Sequence, residues 1–231
     1  MKTLLYAQSA QIAYFLGTID LSDRLKVASM IKDEIGEVLD GTPTILPMPD
    51  DAPLEIPRIV LSSKDKTTAL NVAVSRIDYI YKTSEGEQGI EIKEFQEDFI
   101  SKVNAINKLL FDKLKATSYR LGLIINYQAL LKEGGLGFLK TRFLGDPKDN
   151  SIEVQFHKRN QVDISGMKVN NWIRLIGLNQ KVANSPLLIS SDINTIQEKR
   201  YEIGEKNASV FYTEALGLSQ KTIDEMLTQE N

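Results

Sequence analysis

Apolar residues take the even positions at the start of the chain: Leu4, Tyr6, Ala10, Ile12, Tyr14 and Leu16, with one polar lapse at Gln8. Alternation with a period of two predicts a half-buried strand over 2–17. The period then changes. Leu25, Ala28, Ile31, Ile35 and Val38 recur at three-to-four spacing, which predicts a helix capped by Asp20 or Ser22 and ended at Asp40-Gly41. Five prolines between 43 and 57 make the next stretch extended. Ile59 to Leu61 begin a strand, and Ala69 to Tyr81 form another. In that second strand the apolar parity switches at Ser75-Arg76, which suggests a bulge or a strand that moves from one environment to another. Phe95, Phe99, Val103, Ile106, Leu110 and Leu114 line one face of a helix over 92–115. YRLGLIINYQALL follows, apolar on both parities, as a central strand should be.

The order strand, helix, strand, strand, helix, strand over 1–132 is the split βαβ, or ferredoxin-like, arrangement. Residues 133–231 read as a mainly antiparallel region with a closing helix. SIEVQFHK and QVDIS are strands separated by a turn at Arg159-Asn160; KVNNWIRLIGL and PLLISSDI are two more. A helix over 205–216 stops at Gly217, and a short one begins at Thr222, where Glu225 completes capping-box spacing. The fold class expected is α+β, with the two halves packed as one unit.

Between the halves lies EGGLGFLKTRFL, residues 133–144. Its glycines invite a phosphate-loop reading, but both motif frames fail. Leu139 stands before Lys140 where a Walker A loop needs glycine, and Lys140 itself occupies the third glycine position of G-x-G-x-x-G. The stretch reads instead as a flexible linker.

Composition removes several chemistries. With no cysteine and one histidine, His157, thiolate catalysis, Cys-ligated metals and a two-His zinc site within one chain are excluded. No apolar run reaches the ~20 residues of a membrane span, and the apolar run Leu4–Ala7 is too short for a signal peptide, so a cytoplasmic protein is expected. The net charge of −3 hides an asymmetry: residues 101–181 hold 14 Lys/Arg against 6 Asp/Glu. Lys140, Arg142, Lys158 and Arg159 are the anion-binding candidates there, with Lys102, Lys113 and Arg120 elsewhere in the segment. The pattern gives no reason for these cations to converge, and tight binding to duplex nucleic acid is not expected.

One pattern resembles a catalytic one. Asp78 is followed thirteen residues later by Glu91-Ile92-Lys93, and restriction-like nucleases place an acidic residue and an E-x-K tripeptide on neighbouring strands around a divalent metal. The alternative is that Glu91 and Lys93 merely open the long helix. His157 reads as a surface histidine, Asp192 as a turn former at a strand end, and Trp172 as packing for a sheet edge.

APLEIPRIVLSS, ALNVAVSRIDYIY, SYRLGLIINY and SPLLISSDINTI, in that order before a closing helix, resemble a sporadically distributed bacterial family with no assigned activity. The resemblance implies a two-part α+β fold of paired sheets and an association with mobile or defence genes; it transfers no catalytic residue. The reading favoured from the sequence is a non-enzymatic interaction protein. It needs no cofactor or membrane, and its partner is a protein or a second copy of the chain. A metal-dependent nuclease using Asp78, Glu91 and Lys93 is the first alternative. An anion or nucleic-acid binder using 101–181 is the second.

Overall fold

The computed structural model describes residues 4–49, 51–84, 88–178 and 185–228. The start of the first expected strand, residues 85–87 ahead of the E-x-K tripeptide, and Lys181 in the basic segment lie outside them. Strand β1 (Leu4–Leu16) leads to helix α1 (Arg24–Ile35), then to β2 (Thr44–Ile45), β3 (Ile59–Ser62), β4 (Thr68–Val72), β5 (Arg76–Lys82) and β6 (Ile90–Glu91). Helix α2 (Ile92–Lys108) runs into a π-helical turn at Leu109–Lys113 and is followed by β7 (Ser118–Leu130). The remainder is α3 (Gly134–Leu139), a second π turn at Lys140–Leu144, β8 (Glu153–Ile164), β9 (Met167–Leu178), β10 (Leu187–Thr195) and α4 (Glu205–Thr228).

All ten strands join one sheet in the order β2-β3-β4-β5-β1-β7-β10-β9-β8, with β6 pairing with β1 beside the end of β5. Every pairing is antiparallel. The chain is therefore α+β, built on a large antiparallel sheet with a C-terminal helix. The sheet continues across the 132/133 boundary, because β7 of the first half pairs with β10 of the second.

Among the described residues, helices cover one face only. Ile12, Tyr14, Leu123, Ile125, Ile173, Leu175, with their neighbours of the same parity, form the core beneath α1, α2, α3 and α4. The alternate positions, such as Gln11, Asn126, Ser190 and Arg174, face away from the helices and stay partly or fully exposed. A period of two on a sheet covered from one side produces this division.

Four side chains of α4 reach into the covered face. Asn107 of α2, fully buried, accepts from the Tyr14 hydroxyl at 2.6 Å and donates to Ser209 Oγ at 2.8 Å. The Tyr212 hydroxyl donates to the Ala13 carbonyl at 3.0 Å, Ser219 Oγ pairs with the Tyr127 hydroxyl at 2.9 Å, and Asn171 Nδ2 donates to Thr222 Oγ1 at 3.2 Å. These contacts explain why α4 is one helix of 24 residues. The expected stop at Gly217 does not occur: Gly217 faces solvent, and the buried stripe before and after it stays in phase. That packing outweighs the ~1 kcal/mol propensity cost of a mid-helix glycine. Thr222 caps nothing; its hydroxyl donates to the Leu218 carbonyl inside the helix.

Other expectations are corrected in the same way. The parity switch near Ser75 is not a bulge but the reversal of a hairpin, closed by Ala73 N–H donating to Arg76 O, so 69–81 is two strands. Arg159-Asn160 is not a turn. β8 pairs with β9 residue by residue from Glu153 to Ile164, and its polar run reflects an edge strand exposed on both faces. Asp23, rather than Asp20 or Ser22, caps α1 by accepting from Lys26 N–H at 3.0 Å. The proline-rich connection is held by Arg58, whose buried guanidinium donates to the carbonyls of Ala52, Pro53 and Ile56. No described helix is long and apolar enough to cross a membrane.

The glycine stretch is a packing device. Residues 134–139 are helical rather than a linker, and Gly135 N–H is already spent on the Ser185 carbonyl at 2.8 Å. A Cβ on Gly135 would lie 2.5 Å from Leu187 Cα, and one on Gly177 would lie 2.6 Å from Leu136 Cα. The backbones of α3, β9 and the start of β10 thus touch directly, and only glycine permits this.

Two predictions follow from this packing. Gly177→Ala should destabilise the protein by about 1–3 kcal/mol, because its new methyl meets backbone that cannot rotate away; urea unfolding measures it, and an unchanged midpoint would remove the contact from the account. The second concerns alkaline pH. Burial pushes the hydroxyls of Tyr14, Tyr79, Tyr127 and Tyr212 above their ordinary value of 10.0. The unfolded chain ionises these groups near pH ~10 while the folded protein keeps them neutral, so their contribution is whole below that pH and is lost above it. The urea midpoint should hold to about pH 9.5 and fall steeply above about pH 10.5, with the tyrosinate absorbance of these four of the eight tyrosines appearing only on unfolding. Tyrosinate absorbance of all eight tyrosines in the native protein would contradict the burial.

Candidate nucleic-acid interface on the open sheet face

The uncovered face is polar and partly cationic, and its chemistry concentrates where β1, β7, β10, β9 and β8 lie side by side. Alternation places Gln11, Ala13 and Phe15 of β1 there, opposite Ile124, Gly122 and Arg120 of β7. Asp192 and Asn194 of β10 come next, then Trp172 and Asn170 of β9, and Arg159 and Gln161 of β8. Gly122 and Ala13 have little or no side chain, so the surface dips. The hollow above them has a volume of about 130 Å³ and is bordered by Phe15, Arg76, Arg120, Asp192 and Asn194.

Arginines frame this hollow. The Arg76 and Arg120 guanidiniums lie 4.9 and 4.7 Å from the Phe15 ring centroid. Arg76 is neutralised by Asp78, to which it donates three hydrogen bonds of 2.8–3.0 Å. Arg120 donates to the Thr195 carbonyl at 3.2 Å and to Asn194 Oδ1 at 3.5 Å, and has no carboxylate partner among the described residues. Two lanes further on, Arg159 lies 5.2 Å from the centre of Trp172, which is 40% exposed. Arg174 is its diagonal neighbour, since His157 pairs with Arg174 where Arg159 pairs with Trp172. Arg120, Arg159 and Arg174 form no ion pair with any described residue.

A side-chain hydrogen-bond chain ties the row together across four strands. Arg159 donates to Asn170 Oδ1 at 2.9 Å, Asn170 Nδ2 donates to Asn194 Oδ1 at 3.2 Å, and Asn194 Nδ2 donates to Asp192 Oδ1 at 2.8 Å. Arg120 joins at Asn194 from the other side. Such a network fixes the rotamers of long side chains before any partner arrives.

The residues singled out in the sequence fare differently. Asp78 pairs with Ala13 and Glu91 with Tyr6, seven residues apart on β1, which separates them by on the order of 20 Å. Asp78 is engaged by Arg76 and by Gln11 Nε2 at 2.9 Å. Lys93 lies in the first turn of α2. The structure does not bring the three together, and no cluster of three metal-ligating residues occurs among the described residues. Lys140 and Arg142 lie on the π turn after α3, on the helix side; Lys140 donates to the Asp149 carbonyl, and Arg142 sits 6.0 Å from the Phe138 and Phe143 rings. Lys158 has the helix-side parity of β8, and of the four anion candidates only Arg159 is on the open face. Lys102 is paired with Asp98 and Lys113 with Glu34, whose carboxyl is held below its ordinary value mainly by the hydrogen bond from Lys113. Asp192 is mid-strand rather than at a turn. His157 is on the surface, hydrogen-bonded to Gln155 at 3.2 Å.

No family model matches the chain, and no curated protein is similar to it. Among solved structures, a rolling circle replication initiator protein from Geobacillus stearothermophilus aligns over 93% of this chain and 79% of that one, at 9% identity and a TM-score of 0.31. That score is too low for the two folds to be equated.

Proposed function

We propose that this chain is a non-enzymatic binding protein whose open sheet face holds an anionic partner. The observation that carries the reading is the trio Arg120, Arg159 and Arg174, exposed or half-buried on one face without carboxylate partners among the described residues. Guanidiniums that are hydrogen-bonded in place but carry no counter-charge are suited to carboxylate, sulfate or phosphate. The separation of Asp78 from Glu91 weighs against the nuclease alternative. We also read β1, α1, β4, β5, α2 and β7 as a ferredoxin-like unit, because its strands lie in the order β4-β5-β1-β7, with β2 and β3 as an extension at one edge. A cytoplasmic location and an association with mobile or defence genes fit a partner of this charge.

Trp172, the single tryptophan, sits on the proposed surface and reports on it. Titration with heparin as a polyanion should change its fluorescence, with an affinity that falls as salt rises through counterion release. Combined Arg159→Glu and Arg174→Glu should abolish the change. No response in the unaltered protein would reject the open face as an anion-binding surface. In parallel, Mg²⁺ or Mn²⁺ should promote no cleavage of DNA or RNA; cleavage that disappears in both Glu91→Ala and Lys93→Ala would establish the nuclease instead.

A further inference from the structure

We propose that the anionic partner is a single-stranded nucleic acid, laid across β7, β10, β9 and β8 with bases stacked at Trp172 and a base edge seated in the hollow beside Arg120. This rests on the open face being the binding surface.

Three features select this polymer among anions. The first is a stacking platform. Trp172 is exposed, and Arg159 lies over it while held by Asn170. Aromatic and guanidinium planes are both platforms for unpaired bases, whichever the base. An acidic peptide of Asp and Glu makes no comparable use of them.

The second is the hydrogen-bonding inventory. The row between the arginines is made of amides and one carboxylate: Gln11, Asn170, Asn194, Gln161 and Asp192. Amides both donate and accept, as base edges do. Asp192 would repel a purely anionic ligand, but its carboxylate accepts from base N–H groups. It borders the hollow of about 130 Å³, with Arg120 on the same rim to take a phosphate.

The third is shape. The face is a broad sheet with no projecting helix or ribbon to enter a duplex groove. A single strand can lie across it with its bases turned inward, and double-helical DNA hides those bases. The surface is also unsuited to lipid, because its centre is polar.

The test uses the full chain and a fluorescently labelled ~12-nucleotide single strand of mixed sequence, the same sequence as a duplex, and heparin as the charge control. The single strand should bind at least about tenfold more tightly than its duplex at about 0.15 M salt. Trp172→Ala should weaken single-strand binding about tenfold, and Trp172→Phe should restore most of it, because stacking rather than charge is lost. Heparin binding should be little changed by either. Arg159→Glu with Arg174→Glu should weaken both probes. Lys140→Glu with Arg142→Glu, on the opposite face, should weaken neither. Circular dichroism confirms that each variant is folded, and exposed Trp172 can be removed without opening the core.

If heparin binds through Arg159 and Arg174 but the single strand binds no better than the duplex, or Trp172→Ala leaves it unchanged, the inference falls and the anion-binding reading stands. If neither probe binds, both fall. Equal losses from the Lys140/Arg142 and Arg159/Arg174 pairs would show diffuse charge attraction and overturn the assignment to this face.

Discussion

The structure depends on a wide sheet being buried from one side only. Ten strands present two faces, and the chain supplies helices for one. Helix α4 does much of the covering, and it is anchored by polar contacts as well as apolar ones: Ser209 to Asn107, Tyr212 to the Ala13 carbonyl, Ser219 to Tyr127, and Thr222 to Asn171. These residues sit on one stripe of the helix, and each meets a buried partner. A satisfied buried hydrogen bond contributes about 1 kcal/mol net, but an unsatisfied one costs about 1–3 kcal/mol. The contacts therefore set the helix's position more than its total stability, since a slip of one residue would orphan several groups together.

That constraint shapes the opposite face. No described helix covers the alternate positions of β1, β7, β10, β9 and β8, and most of them are polar or small, with Phe15, Ile124, Trp172, Ile176 and Leu188 among the large apolar exceptions. Glycine and alanine at 122 and 13 make a dip, amides fill the row, and arginines stand at its ends. The same alternation that supplies the core thus delivers the candidate interface. The cations singled out from charge density divide between the two sides: Lys140 and Arg142 pack near α3, and Arg159 stacks on Trp172. A net excess over 101–181 is therefore not one patch. What matters is which strand lane and which parity each charge occupies.

Much of the fold was legible because its signals are local. The periods over β1, α1 and α2 are nearly unbroken, as are those over β9 and β10. The errors share a cause: a polar or glycine signal was read locally, while its meaning lay in a distant partner. Gly135 looks like part of a linker until it is seen against the backbone of Pro186 and Leu187, with Gly177 against Gly135 and Leu136 in turn. HKRNQ looks like a turn until β9 is set beside it. The candidate site was less legible still. Arg120, Asn194, Asn170 and Arg159 are scattered along the chain and meet only through strand order. The one available signal was the polar parity of four strands, which marks the open face without saying which lanes adjoin.

The chain's lack of cysteine allows the one-sided burial of the sheet to be measured directly. Single cysteines at 125 and 173 would lie on the covered face, and at 126 and 174 on the open one. Maleimide labelling of the native protein should modify Asn126→Cys and Arg174→Cys quickly, and Ile125→Cys and Ile173→Cys only on unfolding. Equal protection at neighbouring positions, or rapid labelling at 125 and 173, would contradict the account.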